Sequence, residues 1–117
     1  MKIYLLDRNI NMTDSWTKYF SKETDVHIVC DDFENFIKEH FGIDGIVSPG
    51  NSFGLMDGGY DAAITNYFGT WLMKDVQKAI LEYFSGEQSI GTCLTIETSL
   101  TNGMGDEILL LHTPTMR

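Results

Sequence analysis

Apolar residues arrive in short bursts along this chain, and the spacing inside each burst separates strands from helices. Ile3 to Leu6 is an apolar run stopped by Asp7-Arg8-Asn9, which predicts a buried strand. Between Met12 and Phe20, the aromatic residues Trp16, Tyr19 and Phe20 recur at helical spacing, with Asn11 or Thr13 placed to cap the helix. Val26 to Cys30 predicts a second strand. Phe33, Phe36, Ile37, His40 and Phe41 then share one helical face. Asp31 and Asp32 stand at its N-terminal end, where negative charge suits the helix dipole.

Gly45 to Val47 predicts a third strand, and helical patterns follow over Asp61 to Phe68 and Leu72 to Phe84, broken near Gly69. Thr92 to Glu97 and Glu107 to His112 predict two further strands joined by the turn-rich segment TSLTNGMGD. Strands interleaved with helices, with little strict alternation inside the strands, predict an α/β fold. The expected arrangement is three layers, α/β/α, around a mixed and largely parallel sheet. At 117 residues, with no repeat or linker, residues 1–117 form one small domain.

Charge narrows the list of partners. Eight Lys and Arg against seventeen Asp and Glu leave a formal charge of -9. So acidic a surface argues against nucleic acid as a partner, because that affinity depends on basic side chains neutralising phosphates. A small anion is still accommodated where backbone amides and a helix N-terminus create a local positive potential. Cys30 and Cys93 fall in predicted strands without CxxC or Cys/His spacing and read as buried free thiols of a reducing compartment. His27, His40 and His112 lack metal-ligand spacing and read as packing or surface histidines, so no metal or cofactor is expected. The apolar run after Met1-Lys2 is too short for a signal segment and no run reaches membrane-spanning length, which predicts a soluble, cytoplasmic chain without a membrane partner.

The densest chemistry lies in DGIVSPGNSFGLMDGGYDAAITNYFG, residues 44–69. A strand ends at Ser-Pro-Gly-Asn, a loop carries Gly54, Gly58 and Gly59, and a helical pattern opens directly afterwards. That sequence of elements places backbone N–H groups around an anion. Asn51 has two readings: its carboxamide binds ribose hydroxyls, or it closes an Asx-turn. The glycines serve either close backbone approach to phosphate and ribose or ordinary turns. Asp61 is either a cap-like helix-start acid or a working carboxylate. Asp57 binds ribose, caps the turn or faces solvent. Phe53 and Tyr60 flank the loop, as shields for a bound ribose or as core aromatics.

These residues resemble the macrodomain family of ADP-ribose-binding modules. A family strand reading roughly I-V-N-x-A-N runs into a glycine loop and a helix beginning V/I-D-x-A-I; here the text is IVSPGN, SFGLMDGG and YDAAI. CDDF stands in place of the family's G-D-I, and LLLHTPTMR in place of its I-x-H-x-x-x-P-like strand. The resemblance implies a ligand site of Asp32, Phe33, Asn51, Gly54, Gly58, Gly59, Tyr60 and Asp61. Asp32 would accept from the adenine amino group, with the Phe33 N–H against the ring; Asp31 is the match if the alignment slips by one. Asp61 would position or activate water and Asn51 would orient the ribose, so that these two carry any hydrolysis of ADP-ribose adducts or of ADP-ribose 1''-phosphate. A non-catalytic protein-interaction or nucleotide-sequestering module is the alternative.

Two departures stand out. Ser48 occupies the place of the family's first Asn, and the family's later helix, strand and second glycine-rich loop have no counterpart after Arg117. The resemblance thus covers the N-terminal two-thirds of a typical domain. It implies an incomplete domain: a fragment, a short form completed by a second chain or as a homodimer, or a form that has given up ligand binding.

Overall fold

The computed structural model describes residues 1–40 and 42–117; Phe41, expected on a helical face, lies outside them. Two compact units emerge, Met1–His40 and Phe41–Arg117.

The first unit is built from strand β1 (Ile3–Asp7), helix α1 (Ile10–Tyr19), strand β2 (Val26–Cys30) and helix α2 (Phe33–Glu39). β1 and β2 pair in parallel from Ile3↔Val26 to Asp7↔Cys30, and α1 packs on both as the crossover helix. The cap of α1 is Asn9, not Asn11 or Thr13. Its side chain accepts from Asn11 N at 2.9 Å, while the hydroxyl of buried Thr13 donates back to the Ile10 carbonyl at 3.1 Å and so belongs to the helix interior. Tyr19, one of the aromatic residues at helical spacing, is 80% exposed. α2 buries Phe33, Phe36 and Ile37, and Tyr4 meets the rings of Phe36 and His40 edge-on at 5.4 and 4.8 Å. His40 stacks on Phe36 at 4.3 Å and His27 lies against Tyr4, so both histidines serve packing.

The second unit holds strand β3 (Gly45–Ser48), helices α3 (Gly59–Phe68) and α4 (Thr70–Phe84), and strands β4 (Leu94–Thr101) and β5 (Glu107–His112). β5 is central, parallel to β3 and antiparallel to β4, which gives the mixed sheet of an α/β fold. α3 packs on β3, α4 on β4, and the helices on each other. Asp61, Ile64, Thr65 and Phe68 form the buried stripe of α3; Leu72, Val76 and Ile80 form that of α4. They close over Ile46, Ile108 and Leu110 of the sheet. Gly69 breaks the helical run with φ of +104°, and a side chain there would meet the Trp71 indole at 2.9 Å.

β4 starts two residues later and runs four further than the sequence predicts. Thr92 is held in a turn by its own bond to the Ser89 carbonyl at 2.7 Å, and a bulge between Glu97 and Thr101 lets pairing resume close to the hairpin tip. Buried Asn102 closes that hairpin by accepting from Met104 N and Asp106 N, and its amide reaches Asp44 Oδ1 at 3.0 Å just before β3. Both cysteines contradict expectation: they are exposed, Cys30 at the last position of β2 and Cys93 ahead of β4 rather than inside it.

Candidate functional site

Parallel pairing between β3 and β5 does not stop where the strands do. Beyond Ser48↔His112, Thr113 N donates to the Ser48 carbonyl at 3.0 Å, Thr115 N to the Gly50 carbonyl at 2.9 Å, and Ser52 N to the Met116 carbonyl at 3.0 Å. The Ser52 carbonyl accepts from Gln88 N at 2.8 Å. The stem of the glycine loop is therefore hydrogen-bonded on two sides before the loop begins.

Asn51 organises the loop from within. Its Oδ1 accepts from Phe53 N at 3.0 Å and Leu55 N at 3.1 Å, and its Nδ2 donates to the Leu55 carbonyl at 2.8 Å. Of the two readings of this residue, the loop-closing one is what its carboxamide does here. Gly54 takes φ of +70°, and a Cβ there would press on Ile80 and Val76 at 3.0 Å, so its role is to let the loop lie against α4. Met56 is buried, its carbonyl 2.9 Å from Thr65 Oγ1. Phe53 is 42% exposed at the loop surface.

Gly58 and Gly59 differ from Gly54, since a Cβ at either would meet nothing within 4 Å. Gly58 is the N-cap of α3, and no side chain supplies the cap hydrogen bond. An uncapped ten-residue helix thus opens toward free space through a Gly-Gly step, where its dipole favours negative charge. Tyr60 is half-buried and burial pushes its phenol up to about 12, so it stays protonated.

Asp61 lies in the first turn of α3 but does not cap it. It is 6% exposed and accepts at Oδ1 from the hydroxyl of fully buried Ser48, the last residue of β3. Burial pushes its carboxyl up from the usual 3.8, and the Ser48 bond offsets part of that rise. Gly50 sits against this carboxyl: a Cβ built there would overlap His112 Nε2 and lie 2.9 Å from Asp61 Oδ2. His112 is fully buried, with Nδ1 2.7 Å from Gln88 Oε1. Burial lowers its imidazole below the ordinary 6.5.

In the first unit, Asp32 caps α2 by accepting from Asn35 N at 2.8 Å, Asp31 accepts from Asp32 N at 2.8 Å, and Phe33 is buried. In the second, Asn51, Gly54, Gly58, Gly59, Tyr60 and Asp61 belong to one loop and helix start. Sequence reasoning missed Gly50, Ser48 as a partner of Asp61, Gln88, and the placement of His112. Two of these carried a signal: Ile46 and Ser48, like Ile108, Leu110 and His112, alternate with period two on the buried faces of their strands. Gln88 sits in a polar stretch and carried none.

A parallel strand pair that opens into a glycine loop and an uncapped helix defines an α/β strand–loop–helix module. The chain belongs to the macro-like domain family, whose model matches residues 11–116. No curated protein matches the chain. Among the described residues, no helix is long and apolar enough to cross a membrane.

Proposed function

We propose that this chain binds ADP-ribose or a derivative of it, with the diphosphate and distal ribose against the Gly58-Gly59 step and the start of α3. The observation that carries the reading is the uncapped N-terminus of α3 behind two glycines that face open space, in a member of the macro-like domain family. Asn51 and Gly54 then act by holding the loop in shape, and Asp61 faces the ribose as acceptor.

Hydrolysis of an ADP-ribose adduct or 1''-phosphate is a second reading, favoured by one feature: a buried carboxyl with a raised pKa suits a general base. Weighing against it is Asn51, whose Oδ1 accepts two loop N–H groups and whose Nδ2 donates to the Leu55 carbonyl, which favours a loop-closing role over a ribose-orienting one. Binding is therefore the primary assignment.

Calorimetric titration of ADP-ribose into the 117-residue chain, with circular dichroism of the same sample, tests it. Micromolar affinity lost in Gly58→Val supports the cradle. No heat from a folded sample would sink the assignment in favour of a protein-interaction module. Turnover of ADP-ribose 1''-phosphate or a mono-ADP-ribosylated protein that vanishes in Asp61→Ala, with binding retained, would establish the catalytic reading.

A further inference from the structure

Among the described residues, His112 Nε2 is the buried side-chain polar atom that lacks a hydrogen-bond partner, on a ring with 0% exposure. Its neighbours fix what that atom is. Gln88 Nε2 donates to the His112 carbonyl at 3.1 Å and to Thr92 Oγ1 at 3.2 Å. A carbonyl can only accept, so the amide nitrogen faces it and Gln88 Oε1 faces the ring. Oε1 also can only accept, which places a proton on His112 Nδ1, 2.7 Å away. In the neutral ring Nε2 is then a bare lone pair, buried and unsatisfied.

That lone pair and Asp61 Oδ2 face the same side of the Gly50 α-carbon, the point where a Cβ would overlap the first and lie 2.9 Å from the second. The other carboxyl oxygen, Oδ1, is taken by Ser48. Among the described residues, the groups placed beside His112 are Ser48 on β3 and Leu94 on β4 by register, Gln88 in the α4–β4 connection by its hydrogen bond, and Asp61 on α3 across Gly50; of these Asp61 alone is titratable.

We propose that Asp61 and His112 hold one proton between them, and that His112 is the positioning residue that lets Asp61 meet a ligand hydroxyl as a carboxylate. Two arrangements keep the buried pair at zero net charge: a protonated Asp61 with neutral His112, or an Asp61 carboxylate with a His112 imidazolium. Every other arrangement leaves a net charge in the interior, which is costly. Burial drives the Asp61 carboxyl up and the His112 imidazole down, consistent with a single proton on the pair. When a ligand hydroxyl donates to Oδ2, the O–H bond of Asp61 breaks, an N–H bond forms at His112 Nε2, and no proton is exchanged with the buffer. His112 Nε2 and Asp61 Oδ2 make no hydrogen bond with each other, so the proton passes through a bridging water or the ligand hydroxyl, which takes the Asp61 proton and gives its own to Nε2. The ligand half of this inference rests on the function proposed above; the shared proton does not.

The test begins on the ligand-free chain, following the Asp61 carboxyl carbon and the His112 ring nitrogens by NMR against pH. A shared proton makes both nuclei report the same two steps, and Asp61→Asn collapses the His112 response to one. If Asp61 titrates without any response at His112, or if Asp61→Asn leaves the His112 titration unchanged, the inference is overturned. Calorimetry with ADP-ribose at pH 7 in phosphate and in Tris then reads the transfer. The unaltered chain gives the same heat in both buffers. In His112→Gln, Asp61 must release its proton to the buffer, so the heats diverge and affinity climbs with pH. Coupled NMR steps with no ADP-ribose heat would sink the ligand assignment while supporting the shared proton.

Discussion

The Ser48 hydroxyl donates to Asp61 Oδ1, joining the last residue of β3 to the first turn of α3 inside the protein. Both side chains are buried, so the bond fixes where the helix start stands relative to the strand end. Replacing Ser48 by Ala leaves a buried carboxyl oxygen without its donor. The expected cost is about 1–3 kcal/mol in urea unfolding. Because that bond lowers the Asp61 pKa, the variant should also titrate Asp61 higher by NMR.

Asp61 and His112 give opposite pH dependences to stability. The raised carboxyl of Asp61 makes the folded state hold a proton that the unfolded state loses above about 3.8, so its contribution falls as pH rises through that value. The lowered imidazole of His112 refuses a proton that the unfolded state takes below about 6.5, so its contribution falls as pH drops. Relative to the unaltered chain, Asp61→Asn should gain in melting temperature as pH climbs from 4 to 7, and His112→Gln should gain as pH descends over the same range. Parallel melting curves across that range would contradict both assignments.

Gly50 and Gly58 should respond differently to alanine. A methyl at Gly50 collides with His112 and Asp61, and overpacking of this kind costs about 1–3 kcal/mol. At Gly58 it meets open space with φ of -135°, so the melting temperature should hardly move while ADP-ribose affinity falls. Thermal melts and calorimetry on the two variants separate a packing glycine from a contact glycine.

Asn51→Ala removes three hydrogen bonds that close the loop at Phe53 and Leu55. Amide exchange at Phe53 and Leu55 should speed up by about tenfold or more, as a loss of about 1.4 kcal/mol in local opening requires. Asn51→Asp keeps the two acceptor bonds and should retain most of the protection.

Much of the fold was legible because burial imposes periods that a linear reading can detect. Val26–Cys30 and Glu107–His112 are the strands the apolar runs predict, and the break at Gly69 follows from a residue that tolerates positive φ. α3 begins at Gly59, two residues earlier than its apolar pattern, because Gly58 and Gly59 can enter a helix without leaving any hydrophobic trace. The site was half legible. Its loop lies in one continuous stretch, but Ser48, Asp61, Gln88 and His112 meet only after strand pairing. Cys30 and Cys93 are free thiols as expected, but the burial expected of them failed, since residue type gives average burial whereas a strand terminus and a turn set their own exposure.

Ser52, with Met116 on one side of its backbone and Gln88 on the other, has a consequence for the thermodynamics of recognition. A stem tied to two separate segments, and a loop closed by Asn51, lose most of their conformational freedom when the chain folds. A ligand at the proposed site would then have little left to order beyond the Gly58-Gly59 step. Association should accordingly be fast and carry a small entropic penalty, the behaviour of a preformed cradle rather than of a loop that folds around its guest.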